Sequence, residues 1–406
     1  MRVLFVAPRL PIPLDTGGKI RTWNTLRGIS LGAEVTLLSF GGEEEERRHE
    51  LPASVRTIRI VPPPWNGRAM DVARLGLGLP TGLPIVVMRY SSPAMALAVS
   101  RLSRDVDLVH FDHVHLAQYW RFVPRAVPTA FDAHNAEYKI AERLAERQTN
   151  PAMKLLVERE TRRMLRFEGD RVRRVDLTSC CSEDDARLLR DAAGGGRVEV
   201  VPNGVDLEGF GAPGDAVDEG HIVLTGSMDW EPNADAAEWL CHEILPEVRK
   251  KLPGMRVYLV GRKPLPRVQA LSSLEGVVVT GTVPDVRPYL RKARCLVVPM
   301  RVGGGTRLKI LESFAARIPV VSTRVGYEGI EATPEREVLV AETPAEFAEQ
   351  IAKLDRDPAL GARLAEAGRS LAERQYGWEA IGRRLLGLLE ETRSRGAARA
   401  GSAGGG

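Results

Sequence analysis

Short runs of apolar and β-branched residues alternate with longer helical stretches along most of this chain of 406 residues. Such alternation predicts parallel strands joined by helical crossovers. The first series of predicted strands covers residues 3–7, 34–39, 57–61, 106–111, 129–132 and 175–180. After Pro202-Asn203-Gly204 the pattern starts again, with predicted strands at 222–226, 257–261, 277–281, 295–299, 320–322 and 338–341.

The restart of the pattern divides the chain into two parts, and its length agrees, since a domain usually holds roughly 100 to 200 residues. We therefore predict an α/β protein with two Rossmann-like, doubly wound domains at residues 1–203 and 204–375. The two domains are expected to face a central cleft, which is the default place for a ligand. Segment 215–220, rich in Asp, Gly and Ala, is interpreted as the entry to the second domain.

The end of the chain predicts one more helix, at residues 376–395. Its apolar positions Ile381, Leu385, Leu388 and Leu389 fall on one helical face, which is expected to pack back on the first domain. Residues 396–406 are mostly Gly, Ala, Arg and Ser, a composition that predicts a disordered tail.

Composition excludes several classes of protein. The hydrophobic share of 44% and the charged share of 27% are typical of a folded, water-soluble protein. A net charge of +4, with Lys and Arg spread along the chain, argues against nucleic acid as a partner. The apolar start is cut short by Pro8 and is interpreted as a strand, and no apolar run is long enough to span a membrane. Four cysteines without zinc or disulfide spacing indicate buried thiols in a reducing cytoplasm.

Two glycine-rich loops each lead from a strand into a helix: 15–18, which ends with Gly17-Gly18, and 303–309, which reads Gly303-Gly304-Gly305-Thr306-Arg307-Leu308-Lys309. Glycines let a backbone approach a ligand closely, and the free N–H groups of a helix start attract anions. Arg307 and Lys309, like Lys19 and Arg21 in the first loop, place cations where they oppose the helix dipole, unless an anion binds there. We infer a diphosphate, although a plain tight turn also explains the first loop.

The spacing of the glycines in the two loops also indicates which nucleotides are not expected as ligands. Neither loop has the Gly-x-x-x-x-Gly-Lys-Ser/Thr spacing of a P-loop or the Gly-x-Gly-x-x-Gly of a dinucleotide fold, which argues against ATP and NAD. Glu312 lies one to two turns into the following helix, where its carboxylate could accept hydrogen bonds from the vicinal hydroxyls of a ribose. A solvated helix charge is the alternative.

These segments, in this order, resemble glycosyltransferase family 4, a large bacterial group of GT-B enzymes, over nearly the whole chain. The matching segments are Gly17-Gly18, the interdomain signature 201–206, the first loop of the C-terminal domain at 226–233, and Val283-Pro284-Asp285. The resemblance implies the GT-B fold and retaining transfer of a hexose-type sugar from a nucleotide-diphosphate sugar to a glycan, lipid-linked or small-molecule acceptor. A Gly-Gly-Gly-Thr-Arg-Leu-Lys variant is similar to that of some exopolysaccharide transferases, which implies bacterial polysaccharide or glycoconjugate synthesis.

The chain departs from the family pattern at the donor site. The family signature has two Glu residues separated by seven others; Glu312 matches the second, which contacts the ribose, but Gly304 replaces the first, which contacts the sugar. The family's Arg and Lys in the first loop of the C-terminal domain are also missing, since Ser227 and Asn233 lie near those places. Arg307 and Lys309 are expected to supply that charge. Val283, at the base-contacting strand end, completes the predicted donor-binding set with Ser227 and Arg262.

His134 follows the predicted strand 129–132 and resembles the active-site histidine of the family. Ligands of open α/β sheets gather at the carboxyl ends of strands, so we predict His134 and Asp132 as catalytic residues. A satisfied core histidine is the alternative, and Glu137 is a further carboxylate worth testing. The nearby His110, Asp112, His113 and His115 suggest a metal site, but the strand spacing and the metal-free chemistry of GT-B relatives predict no metal and no cofactor.

The basic stretch 154–174 allows two interpretations. Its Arg and Lys residues are interleaved with apolar residues, so it could lie on the inner face of an anionic membrane. Acidic residues within the stretch favour a solvated helix face instead. Three other functions also stay open: a GT-B sugar-nucleotide epimerase, a non-catalytic sugar-nucleotide-binding subunit of a polysaccharide assembly, and, with least support, an oxidoreductase.

Overall fold

The structure, a computed structural model, describes residues 1–14, 16–41, 51–64, 82–211, 220–302 and 307–403. The chain divides into two compact units: unit 1 is Met1–Pro202 with Glu379–Gly406, and unit 2 is Asn203–Trp378. The boundary falls one residue before the position predicted from the sequence. The predicted entry segment 215–220 lies outside the described residues, except for Gly220.

Unit 1 is built on a seven-stranded, fully parallel sheet with the order β3-β2-β1-β4-β5-β6-β7. Six of its strands overlap the predicted ones. The seventh, β7, is three residues long and lies between a run of three glycines and Pro202, too short for its pattern to be recognised. The strands are β1 Arg2–Ala7, β2 Glu34–Phe40, β3 Val55–Val61, β4 Leu108–Asp112, β5 Thr129–Ala133, β6 Leu177–Cys180 and β7 Val198–Val200.

Unit 2 contains a six-stranded parallel sheet with the order β10-β9-β8-β11-β12-β13. All six strands overlap the predicted ones, so two successive doubly wound α/β units are confirmed. The strands are β8 His221–Thr225, β9 Arg256–Val260, β10 Val277–Gly281, β11 Ala293–Val298, β12 Val320–Ser322 and β13 Leu339–Val340.

The described helices lie between the strands and at the end of the chain. They are α1 Gly17–Ile29, α2 Ile85–Met88, α3 Pro93–Leu102, α4 Glu137–Arg147, α5 Pro151–Arg174, α6 Glu183–Ala193, α7 Leu207–Gly211, α8 Glu231–Trp239, α9 Leu245–Lys251, α10 Pro266–Ala270, α11 Arg287–Arg291, α12 Leu308–Ala315, α13 Pro344–Arg356, α14 Pro358–Gln375 and α15 Trp378–Ala403. Short 3₁₀ turns and a π-helical turn, Leu240–Ile244, complete the connections. None of the described helices is long and apolar enough to cross a membrane.

The last helix packs on unit 1 from Glu379 onward. Gly28 of α1 and Gly382 of α15 let the two helices meet closely, since a Cβ on Gly28 would lie 2.5 Å from the Gly382 Cα. Ile381, Leu385 and Leu389 are buried on this side. The helix continues to Ala403, so residues 396–403 differ from the predicted disordered tail, because the alanines and arginines there are good helix formers that extend an existing helix.

Each sheet reverses its strand order at one point, between β1 and β4 in unit 1 and between β8 and β11 in unit 2. Loops that leave the carboxyl ends of two such strands run apart and leave a crevice, which is where ligands of open α/β sheets bind. The loop before α1 and Asp112 lie at this point in unit 1. Gly226 and residues 299–302 lie at the corresponding point in unit 2.

Candidate functional site

Asp132 lies at the carboxyl end of β5 and binds Arg21 of α1 in a buried ion pair. The Arg21 Nε and Nη2 atoms donate to the two Asp132 carboxylate oxygens, both at 2.7 Å. Ser179 Oγ donates to the same carboxylate at 2.6 Å, and Arg21 Nη2 also reaches the Val201 carbonyl oxygen at 3.0 Å. Although burial raises the pKa of Asp132, the Arg21 charge lowers it overall, so the carboxylate stays ionised.

This ion pair bears on the expectations for Arg21 and Asp132. Arg21 is 1% exposed and its charge is used inside unit 1, so it is not a phosphate-binding cation as the sequence suggested. Asp132 is equally buried, and its oxygens accept hydrogen bonds from Arg21 and Ser179, which holds the carboxylate in the interior of unit 1. Asp132 therefore supports the site structurally through Arg21, and its catalytic role stays a prediction.

Asp112 lies at the end of β4, next to Asp132 in register, and its carboxylate contacts two histidines. His134 Nε2 lies 2.9 Å from one Asp112 oxygen, and His113 Nδ1 lies 2.9 Å from the other. Thr22 Oγ1 donates to that second oxygen at 2.7 Å. The two imidazole rings are tilted by 31° with centroids 3.5 Å apart, and we call this group the Asp112 cluster: Asp112, His113 and His134.

The two histidines of the Asp112 cluster have pKa values shifted in opposite directions. Burial, together with the nearby His113, lowers the pKa of His134. Burial also lowers the pKa of His113, but the Asp112 carboxylate outweighs it and raises that pKa overall. Although burial raises the pKa of Asp112, the two imidazoles hold it well below its usual range. Two rings in contact cannot both be charged cheaply, so His113 takes a proton first and His134 stays neutral.

The neutral His134 has a defined tautomer. An ionised carboxylate only accepts hydrogen bonds, so His134 carries its proton on Nε2 and donates it to Asp112. Its Nδ1 atom is then a hydrogen-bond acceptor. The side chain is 8% exposed, against 19% for His113. The predicted active-site histidine therefore lies at the carboxyl end of the sheet, in contact with carboxylates rather than in an apolar core.

The metal cluster considered from the sequence is not assembled. His110 is buried and stacks on Phe5, with ring centroids 5.0 Å apart, and His115 stacks on Tyr90 at 5.1 Å. The Asp112 cluster instead offers three ligand atoms that lie within 4.8 Å of one another. Its carboxylate oxygens accept hydrogen bonds from both imidazoles.

The first glycine loop opens α1 beside the Asp112 cluster. Gly17 is the first residue of the helix, and the Thr16 side chain caps it by accepting a hydrogen bond from the Lys19 N–H at 3.3 Å. Apart from its own helix and chain neighbours, the described atoms leave the side of Gly18 open: a Cβ there would have one neighbour within 4 Å, His113 Nε2 at 3.9 Å. His113 itself has a φ of 72°, a conformation that costs a residue with a side chain about 1–2 kcal/mol.

In unit 2, Asn233 of α8 binds Lys309 and connects it to the loop after β8. The Lys309 Nζ atom donates to Asn233 Oδ1 at 2.8 Å, and Asn233 Nδ2 donates to the Ser227 carbonyl oxygen at 2.9 Å. Arg262 Nε donates to Ser227 Oγ at 3.0 Å. The structure therefore brings together three predicted donor-site residues, Ser227, Arg262 and Lys309, which come from three separate parts of the chain.

Glycine is required where this loop passes the neighbouring strand end. A Cβ on Gly261 would lie 1.6 Å from the Gly226 carbonyl oxygen, so only glycine fits there. Gly226 has a φ of 145°, and a Cβ on it would lie 3.1 Å from Lys309 Nζ. The Lys309 ammonium thus lies against the backbone of the first loop of unit 2.

Three charged groups lie at the start of α12. Arg307 is the N-cap residue, and its guanidinium carbon lies 5.9 Å from the ring centroid of Trp230, which is 39% exposed. Burial and the Arg307 charge lower the pKa of Lys309 to about 7. Burial raises the pKa of Glu312 to about 7, although Lys309 opposes the shift. Both groups therefore titrate near neutral pH.

The remaining predicted donor-site residues are placed as follows. Gly303, Gly304, Gly305 and Thr306 lie outside the described residues. Val283 is partly buried and packs against the core of unit 2, two residues after β10 ends.

The basic segment 154–174 lies within α5, and several of its Arg side chains form ion pairs with acidic residues of the same helix. Arg163 pairs with Glu160 at 3.0 Å, and Arg174 pairs with Asp170 at 2.7 Å. Glu168 is fully buried and accepts hydrogen bonds from two backbone N–H groups at the start of α4. The pairs with Glu160 and Asp170 fit the solvated-face interpretation, whereas the buried Glu168 is not a solvated counter-charge.

The sequence pointed to some residues of the site but not to their partners. Thr22, Asp112 and His113 around His134, and Asn233 and Trp230 around Lys309, were not predicted to act there. One signal was available: Asp112 and His113 directly follow an apolar strand, as His134 does. Asn233 lies inside a helix and gives no comparable signal.

Two family models match the chain. A model described as Glycosyltransferase Family 4 matches residues 26–208, and one described as Glycosyl transferases group 1 matches residues 219–357. Each unit therefore carries a glycosyltransferase domain. No curated protein sequence matches the chain significantly.

Solved structures share the fold over almost the whole chain. Sucrose-phosphate synthase from Thermosynechococcus elongatus is 20% identical, with 97% of this chain and 100% of that chain covered and a TM-score of 0.72. HepE from Anabaena, solved with UDP, is 13% identical, with 96% and 100% covered and a TM-score of 0.66. TarM of S. aureus is 10% identical, with 95% and 98% covered and a TM-score of 0.71. The chain has the GT-B fold of these proteins.

Proposed function

We propose that this chain, a glycosyltransferase of the family 4 type with the GT-B fold, transfers a hexose-type sugar from a nucleotide-diphosphate sugar to a glycan, lipid-linked or small-molecule acceptor. Transfer retains the anomeric configuration, as the family resemblance implies. The product belongs to bacterial polysaccharide or glycoconjugate synthesis. No metal and no further cofactor take part.

Lys309 is the observation that carries this proposal. Its ammonium group is buried and donates to the neutral amide oxygen of Asn233, and Glu312 on the next turn offsets the cost of burial only in part. A cation without a full counter-charge is unfavourable in such a place, which is why its pKa falls to about 7. A bound diphosphate supplies the missing negative charge.

The donor phosphates bind at the start of α12. Arg307 and Lys309 stabilise the negative charge that develops on the departing diphosphate, together with the backbone N–H groups that the glycine-rich sequence 303–306 provides. Glu312 accepts hydrogen bonds from the ribose hydroxyls, and Val283 contacts the base. Ser227 and Arg262 contribute to the same donor site through their contacts with the loop that holds Lys309.

His134 acts in the transfer step. Its Nδ1 atom is a neutral acceptor because Asp112 takes the Nε2 proton, so the ring can hold a sugar hydroxyl without adding charge. Asp112 and Thr22 orient it. HepE and its complexes with UDP and UDP-glucose support a uridine donor as the first to test.

A thermal-shift screen with UDP-, GDP-, ADP- and TDP-sugars tests the proposal. We expect at least one nucleotide to raise the melting temperature, and the matching sugar nucleotide to be consumed only when an acceptor is present. Consumption without an acceptor would favour an epimerase instead. Donor binding without any product would favour a non-catalytic sugar-nucleotide-binding subunit, which the replacement of the family's first Glu by Gly304 also suggests.

A further inference from the structure

The Asp112 cluster contains one imidazole that the proposed function does not use. His113 binds Asp112 through Nδ1, which leaves Nε2 on the far side of the ring. The side chain is more exposed than that of His134, at 19% against 8%. Its position is also enforced, because the residue keeps a left-handed φ of 72° while its backbone N–H donates to the Asp132 carbonyl oxygen at 3.1 Å. Strain of this kind persists where the surroundings fix a residue, often at a binding site.

The His113 Nε2 atom faces the glycine loop at the start of α1. It lies 3.9 Å from the point where a Cβ on Gly18 would be, and no other described atom beyond that helix and the chain neighbours lies within 4 Å of that point. Glycine at this position therefore leaves room beside the imidazole. The room lies at the topological switch point between β1 and β4, where a substrate of an α/β sheet is expected.

We propose that His113 is a substrate-binding residue whose Nε2 atom forms a hydrogen bond with a hydroxyl group of the carbohydrate acceptor. A hydroxyl suits this nitrogen in either protonation state, because it both donates and accepts. We assign the hydroxyl to the acceptor, because the proposed function gives the donor phosphates to Arg307 and Lys309 and names no binding residue for the acceptor. The inference rests on the proposed function.

Two substitutions of His113 distinguish the role of its Nδ1 atom from the role of its Nε2 atom. His113→Asn keeps a polar group near the Nδ1 position, which can still bond to Asp112, and Asn tolerates a positive φ. It has no atom at the Nε2 position. His113→Gln reaches toward the Nε2 position instead. His242→Asn, at an exposed histidine of unit 2, is the matched control.

The probes are methyl hexopyranosides, and their affinities are measured in titrations followed by saturation-transfer NMR. The protein is first saturated with UDP, or with the nucleoside diphosphate that stabilises it best. We expect the affinity of the best glycoside to fall about tenfold in His113→Asn, the value of one neutral hydrogen bond. His113→Gln should recover part of the loss, and His242→Asn should bind like the wild type. Thermal unfolding of each variant checks that the fold is intact.

The glycoside titration and a comparison of UDP-glucose with UDP show which part of the inference is wrong when a result differs from the expected one. If His113→Asn binds the glycoside as well as the wild type does, or if no glycoside of the panel binds the wild type, the inference is wrong. If His113→Asn keeps the glycoside affinity but loses the gain of UDP-glucose over UDP, the hydroxyl belongs to the donor, and the assignment to the acceptor is wrong. The proposed function fails separately, when no sugar nucleotide stabilises the wild-type protein.

Discussion

Binding of a nucleoside diphosphate should draw close to one proton from the solvent at about pH 8, because Lys309 must become charged to hold it. The free protein buries this ammonium beside Arg307, and its pKa is about 7. One unit above that pKa, roughly nine-tenths of the lysine molecules are neutral. A diphosphate next to the amine favours the charged form and raises its pKa, so the missing protons are taken up with the ligand.

The size of the effect follows from the same pKa. Lys309 should take up about 0.9 proton at pH 8 and only about 0.1 at pH 6, where it is already charged. Because the charged form binds, affinity should fall by up to tenfold for each unit of pH above about 7. The phosphates of the ligand do not contribute to the proton uptake at pH 8, because their last pKa is near 6 and they are already ionised.

Isothermal titration calorimetry in buffers of different ionisation enthalpy measures the uptake directly. Lys309→Met removes the amine with little change in shape and should abolish the uptake at pH 8, whereas Lys250→Met, at an exposed lysine of α9, should leave it unchanged. Glu312 has a pKa of about 7 as well, so Glu312→Gln is needed to show that the proton does not go there. Uptake that persists in Lys309→Met would refute the assignment of this lysine to the phosphates.

Three further substitutions test other parts of the structure. His134→Ala should keep the fold and the nucleotide affinity but lower the rate of sugar transfer; wild-type turnover would remove His134 from the site. Asp132→Asn leaves a buried guanidinium without its carboxylate and should lower the free energy of unfolding by about 3–5 kcal/mol, measured by urea denaturation. Gly382→Ala places a methyl group 2.7 Å from the Gly28 Cα and should destabilise unit 1 by about 1–3 kcal/mol, whereas Gly387→Ala in the same helix meets no atom within 4 Å and should not.

The strands and the division of the chain could be predicted because they follow from local patterns. Twelve of the strands are apolar runs with helical stretches between them, and the thirteenth, Val198–Val200, is too short for such a pattern. The end of α15 could not be predicted from its composition, because Gly and Ser suggested disorder while Ala and Arg continue the helix to Ala403.

Side-chain partners distant in sequence were the harder part of the site. Arg21 carries the same local signal as Lys309, a cation at the start of a helix after a glycine loop. The sequence gives no sign that Arg21 meets Asp132, 111 positions away, while Lys309 meets the neutral Asn233. The first cation is therefore neutralised inside the protein, and we propose that the second binds an anion. Only the tertiary structure separates these two cases.

The central claim is that the start of α12 holds the donor phosphates. Its most direct test compares the affinities of UDP and uridine, or of the matching pair for the preferred base, in the wild type and in the double variant Arg307→Ala, Lys309→Ala. Each lost charge-assisted contact is worth about 1.5–3 kcal/mol, so the diphosphate should bind at least a hundredfold more weakly. Uridine, which has no phosphates, should bind almost unchanged. Equal losses for the two ligands would contradict the account.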